Sequence, residues 1–172
     1  YGGAAGSVMM VTIAVEELSK VDASAAIMVD VQNTLVAYPM LSAANDEQKK
    51  RYLPSLCESK IGAYALSSAT SGYAAFAQET SAEKKGDDWI LNGEKVYITG
   101  GNEADFAIVV AVNDMVKGVR GGGTTAVLVD RSLGLKSEPI ITMGKDGPPA
   151  PGGHYPPRPP RTPQRQRRPA FR

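Results

Sequence analysis

Between Ile61 and Thr99 the chain reads IGAYALSSATSGYAAFAQETSAEKKGDDWILNGEKVYIT, and its small hydroxyl residues gather there. Ser67, Ser68, Thr70 and Ser71 lead into Gly72, and the stretch closes on Tyr97-Ile98-Thr99. Neutral hydroxyls both donate and accept, so they can follow a bound group whose protonation changes without leaving a charge buried and unpaired. A glycine among them lets main chain come close to a ligand, and a neighbouring tyrosine offers an aromatic face. The rest of the chain supplies little competing chemistry. Its one histidine, His154, lies among prolines, which leaves Ser-His-Asp hydrolysis and most histidine acid-base schemes unsupported. Its one cysteine, Cys57, cannot make an intrachain disulfide, and no Cys/His cluster stands ready for a structural metal. A reducing compartment is expected. Glu16, Glu17, Glu79, Glu94, Glu103 and Glu138 read as solvated faces, so none is taken as a catalytic base.

Strands must hold these residues. From Ile61 the hydrophobic period changes from helical to strand-like, and Trp89 to Thr99 reads as a hairpin turning at Asn92-Gly93. Both central residues of that turn need positive φ, which glycine allows and asparagine tolerates. Further strands are expected over Ala104 to Val112 and Thr124 to Val129. The glycine-rich stretch Gly118 to Gly123 reads as the loop between them, since neither GxGxxG nor GxxxxGKS/T is present. Helices come first. Ser7 to Lys20 reads as a mostly buried helix with Ser7 as N-cap. Asp22 caps a second one through Leu35, expected to end near Pro39. Asn45 and Gln48 have capping-box spacing for a short exposed helix stopped by Pro54.

Composition splits the chain. Of its 12 prolines, 9 lie from Pro148 onward, together with 6 arginines and no lysine, aspartate or glutamate. Removing that tail lowers Lys plus Arg from 19 to 13 while Asp plus Glu stays at 18, so the body carries −5 and the tail +6. An acidic body gives no electrostatic reason to expect nucleic acid, and no apolar run reaches the roughly 20 residues a membrane helix needs. Residues 148–172 are expected to be disordered. Their composition reads first as an out-of-frame product of GC-rich DNA, with Pro-Pro pairs for an SH3-like groove or arginines for a polyanion as the alternative. The start without Met and the change near Pro148 lead us to expect a truncated chain with a foreign tail.

Four ordered stretches carry a resemblance to the acyl-CoA dehydrogenases. Tyr1-Gly2-Gly3 is similar to that family's YGG entry to a helix, and Asp46 to Pro54 (DEQKKRYLP) to its EEQKxxYLP helix. Asp87 to Lys95 (DDWILNGEK) resembles its YxLNGxK segment, and Thr124 to Asp130 a later barrel strand. The resemblance implies an α+β chain: a partial N-terminal α-helical domain over residues 1–60, an incomplete antiparallel β-barrel domain over 61–147, and the tail. It implies FAD as cofactor and α,β-dehydrogenation of an acyl-CoA thioester, with hydride passing to flavin N5. By position, Tyr64, Leu66, Ser67, Gly72, Tyr97, Ile98 and Thr99 would be cofactor-binding and Tyr73 substrate-binding. The family's catalytic glutamate belongs to a C-terminal helical domain, so no catalytic residue is named and this chain alone is expected to be inactive. The resemblance also implies a homotetramer, an electron-transfer flavoprotein or similar acceptor as partner, and the cytoplasm or mitochondrial matrix as location. The family's loop usually reads T/S-E-x-x-G/S/A-G-S/T-D. Here Ser68, Tyr73 and Ala74 replace its glutamate, small hydroxyl residue and aspartate, and Tyr97 stands where tryptophan is frequent. A non-catalytic scaffold or partner subunit is the alternative reading.

Overall fold

The computed structural model describes residues 1–69, 78–86, 88–113, 123–140 and 166–169. Helix α1 (Val8–Ser19) begins at Ser7, whose hydroxyl accepts from the Met10 amide. Helix α2 (Ala23–Asp30) begins at Asp22, whose carboxylate accepts from the amides of Ser24 and Ala25. Helix α4 (Asp46–Glu58) opens on the full capping box, with Asn45 and Gln48 each bonding the other's main chain. These three starts follow the sequence because a cap is a contact within four residues.

The helices depart from expectation where proline and burial are concerned. After α2 the chain does not stop. It winds as a π-helix over Val31–Ala37 and continues into α3 (Tyr38–Ala43), with Pro39 inside the first turn. Because the winding is continuous, Pro39 forgoes one main-chain bond, and the wider π winding just before it relaxes the crowding a proline ring causes. Pro54 likewise lies within α4 instead of ending it. Burial of Tyr52 and Leu53 in the core holds that helix together around it. The expected burial of α1 is absent: Val8, Met9, Met10 and Ile13 are all more than half exposed.

The strands are β1 (Gly62–Ala65), β2 (Ser81–Lys85), β3 (Asp88–Asn92), β4 (Phe106–Asn113), β5 (Gly123–Asp130) and β6 (Gln166–Pro169). They form one mixed sheet instead of the expected antiparallel barrel. Strand β4 runs parallel to β1, touches β2 in parallel at Ser81–Val112, and pairs antiparallel with β5 along its whole length. The parallel pair arises because the β2–β3 hairpin intervenes, so the chain returns to β1 in the same direction in which it left. That hairpin turns through Gly86, at φ +64°, and not at Asn92-Gly93. Strand β3 pairs backwards with β2, and Asn92-Gly93 marks its exit. Within the tail expected to be disordered, Gln166–Pro169 is a strand on the open edge of β3. An edge strand presents unpaired N–H and C=O groups, and a short segment between prolines can still satisfy them.

The sheet has two apolar faces. One packs beneath the helices through Val31, Val36, Met40, Tyr52, Leu53, Phe106 and Ile108. The other is small-residue rich, built on Ala63, Ala65, Ala104, Ala107, Val109 and Val129. The Gln32 side chain bonds both main-chain groups of Gly62, accepting from its N–H at 3.0 Å and donating to its C=O at 2.8 Å. At the start of β4, Asp105 accepts from Lys60 at 2.6 Å and from the Ile61 amide at 2.9 Å, and these bonds hold its carboxyl below the usual range. Arg51 and the Tyr52 hydroxyl both reach Asp130 at the end of β5, joining α4 to the sheet. Burial, reinforced by that bond to Asp130, pushes the Tyr52 phenol well above its ordinary value.

Candidate functional site

Two segments leave the sheet side by side. The first, Leu66 to Ser68, continues β1; the second, Lys95 to Thr99, follows the exit of β3. A main-chain bond joins them, from the Val96 N–H to the Ser67 carbonyl at 3.0 Å. This places Ser67, half-buried like Leu66 before it, one residue from Tyr97 in the hydrogen-bonded alignment.

Tyr97 is 73% exposed and has φ +57°. A bulky residue in the left-handed region is a backbone outlier that its surroundings must impose, and such outliers cluster at functional sites. The turn after it is closed by bonds from Gly101 N–H to the Ile98 carbonyl and from Ala104 N–H to the Gly100 carbonyl. Gly100 lies against Met28 of α2, where an added Cβ would stand 3.1 Å from the methionine Cε. Ile98 packs into the alanine-rich core and anchors the turn. Its two neighbours, the exposed Tyr97 ring and the half-buried Thr99, are what the turn presents.

Of the sequence-expected site residues, Leu66, Ser67, Tyr97, Ile98 and Thr99 therefore belong to one pair of segments. Tyr64 stands apart from that pair, packed against the helix-side core opposite Ile108. Gly72 and Tyr73 lie outside the described residues. Among the described residues no group of His, Cys, Asp and Glu is arranged to hold a metal, and no helix is long and apolar enough to cross a membrane.

The residues missed by sequence reasoning are Lys95 and Gln78. The Lys95 ammonium donates to the Leu66 carbonyl at 2.9 Å, to the Ser68 hydroxyl at 3.5 Å, and to the Gln78 side-chain carbonyl. Ser68 donates to the same Gln78 oxygen at 3.1 Å. Ser68 is 1% exposed and Gln78 8%. A lysine in a charged stretch gives no sign in sequence that its head will turn inward, because its long stem is compatible with either placement.

Burial lowers the Lys95 pKa to about 8. The described groups that face it are a carbonyl, a hydroxyl and an amide oxygen, none of them charged. An unfolded lysine keeps its proton to its ordinary 10.5, whereas the folded one releases it near 8. Between those values the unfolded chain binds more protons, so stability rises with pH. The urea midpoint, followed by Trp89 fluorescence, is expected to climb from pH 8 to 10, and Lys95→Met is expected to flatten that slope. An unchanged slope in the variant would mean that another group titrates. Tyr52 works in the opposite sense, and only above its ordinary value of 10.

Comparison with known proteins agrees with this architecture. The family model for the acyl-CoA dehydrogenase N-terminal domain matches residues 1–60, and that for the acyl-CoA dehydrogenase middle domain matches residues 63–151. The mitochondrial short/branched chain specific acyl-CoA dehydrogenase of Rattus norvegicus is 40% identical over 131 residues, which are 76% of this chain and 30% of that protein. A chain solved in work on the electron transferring flavoprotein of Acidaminococcus fermentans is 40% identical with a TM-score of 0.69, over 76% of this chain and 34% of that one. A glutaryl-CoA dehydrogenase of Mycobacterium smegmatis, solved in complex with FADH2, is 35% identical with a TM-score of 0.61, over 69% and 29%. The chain thus spans about a third of the length of the relatives it matches.

Proposed function

Because this chain belongs to the acyl-CoA dehydrogenase family, we propose that Leu66, Ser67, Tyr97 and Thr99 form one wall of an FAD site in an enzyme that desaturates an acyl-CoA thioester. The observation that carries this reading is Tyr97, an aromatic ring held out by a strained backbone one residue beyond the bond that joins the two segments. A planar heteroaromatic ring with polar edges fits an exposed aromatic face flanked by neutral hydroxyls.

When bound, FAD supplies the electron-accepting chemistry. The chain's own residues bind and orient it. The Tyr97 ring would pack against the ring system, the Ser67 and Thr99 hydroxyls would meet its polar edges, and Leu66 would exclude water beside it. Ile98 keeps Tyr97 and Thr99 at a fixed separation by staying in the core. By resemblance, Gly72 would let main chain approach the cofactor and Tyr73 would narrow the acyl-CoA channel; Tyr64, packed against the helix-side core, stands outside this wall. Hydroxyls and main-chain donors fixed in advance favour a reacting state in which charge is building. No base is assigned to this chain. By resemblance that glutamate belongs to a C-terminal helical domain, so the chain alone is proposed to hold the cofactor without turnover.

We divide the chain into a helical domain at 1–60, a middle β-domain at 61–147 and a tail from 148. A short or branched acyl-CoA is the proposed substrate class, and an electron-transfer flavoprotein the proposed acceptor. A homotetramer in the cytoplasm or mitochondrial matrix is the proposed setting. Titration of the full chain with FAD, followed by flavin fluorescence and the visible band, tests the reading. Saturable binding is expected, weakened about tenfold or more by Ser67→Ala with Thr99→Val, which removes two hydrogen-bonding hydroxyls. A folded wild-type chain that takes up no FAD would overturn it and favour a non-catalytic scaffold or partner subunit, in which Tyr73 and Ala74 would close the site.

A further inference from the structure

We propose that Lys95 is a positioning residue: with Ser68 and Gln78 it latches the Leu66–Ser68 segment to the Lys95–Thr99 segment and so sets the spacing between the two arms of the flavin site. The inference rests on the flavin-binding reading given above. Its basis is geometric. An ammonium has three donors, and Lys95 directs them to three oxygens that belong to the opposite arm or to its support: Leu66 O, Ser68 Oγ and Gln78 Oε1. Ser68 and Gln78 are themselves buried and bonded to one another, so two of the receiving oxygens are held by a contact that does not involve the lysine.

The neighbouring residues show why such a latch matters. Val96, directly after Lys95, makes the main-chain bond to Ser67, and Tyr97 follows in its strained left-handed conformation. A residue at positive φ relaxes unless its flanks are held. Ile98 holds the far flank through the alanine-rich core. Lys95 holds the near one, and no other contact described for this segment crosses to the first arm with a charged donor. A charge-assisted hydrogen bond is about twice as strong as a neutral one. Placing a cation here therefore gives more holding strength than a hydroxyl or amide would, at the cost of burying a charge. Lys95 does not touch the ring that Tyr97 and Thr99 present; it fixes where they present it.

Amide hydrogen exchange of the full chain without flavin, followed by NMR for wild type and Lys95→Met, tests the latch independently of cofactor. Exchange at the Val96 amide is expected to quicken about tenfold, while Ile108 and Val109 in β4 keep their wild-type rates. In parallel FAD titrations the variant is expected to bind about tenfold more weakly and to change the visible circular dichroism of the bound flavin. Unchanged Val96 exchange in a folded variant overturns the proposal. So does quickened exchange with unaltered FAD affinity and dichroism, which would make the contact structural only. If the wild type itself takes up no FAD while Val96 responds as expected, the flavin reading has failed and the positioning role with it, but the latch stands as a contact. Should Lys95→Met not fold, Gln78→Met removes one acceptor and leaves the lysine; the same pattern at Val96 is expected at smaller amplitude, and its absence overturns the proposal equally.

Discussion

Replacing Gly62 with alanine is expected to destabilise the protein by roughly 2–3 kcal/mol, the upper range for forcing an extra carbon into a packed core. The added Cβ would stand 2.4 Å from Val36 Cγ1 and 3.0 Å from Phe106 Cζ. Neither neighbour can retreat, because Val36 is 0% exposed and Phe106 2%. The same displacement would pull Gly62 away from Gln32, whose amide satisfies both of its main-chain groups. Urea unfolding monitored at Trp89 measures the loss. Val36→Ala in the same chain removes the obstructing carbon, so the double variant is expected to be more stable than the sum of the two single losses predicts. Strict additivity would show that the clash is not the cause.

A comparable loss is expected from Gly93→Ala, with a second effect on the candidate site. Gly93 has φ +147° and lies so close to Thr80 that a Cβ would approach the Thr80 Cα to 2.6 Å. The obstacle is main chain, which cannot rotate away as a side chain does. Thr80 is itself fixed, since its carbonyl accepts from the Val112 amide at 2.8 Å. The segment after Gly93 must therefore move, carrying Lys95 and Tyr97 with it. We expect about 3 kcal/mol of destabilisation, combining backbone strain and overpacking, together with loss of FAD binding. Gly86→Ala is the control. It also has positive φ, but nothing lies within 4 Å of the added atom, so a cost near 1 kcal/mol is expected from conformation alone. Equal costs at the two positions would refute the close approach at Gly93.

These positions mark where the sequence is legible and where it is not. Ser7, Asp22 and the Asn45–Gln48 pair were readable as helix starts because each bond spans at most three residues. Strands β4 and β5 were readable because continuous apolar or β-branched runs have few alternatives. Asn92-Gly93 misled because glycine before an irregular exit and glycine in a tight turn look alike. What separates them is Thr80, a neighbour supplied by the fold. Pro39 and Pro54 misled for a related reason: a proline's local cost is fixed, but a π winding or two buried side chains can outweigh it. Apolar residues in α1 announce that a surface wants cover, not what provides it. At the site, Ser67, Tyr97 and Thr99 could be named from residue type and order. Tyr97's left-handed backbone and Lys95's inward turn depend on contacts across 27 to 29 residues of chain, which no local pattern encodes.

The pairing of β1 with β4 has a consequence for how the chain is made. Gly62 finds its sheet partner at Phe106, and the bonds of Asp105 to Ile61 span 44 residues. At typical synthesis rates, β1 emerges about 2–9 s before the strand that completes it. During that interval its main chain would be an open template for other nascent chains. Gln32 precedes it by 30 residues and is already available to occupy both polar groups of Gly62. One glutamine amide thus stands in for a neighbouring strand at Gly62, and it keeps both bonds when the central strand pairs with β1.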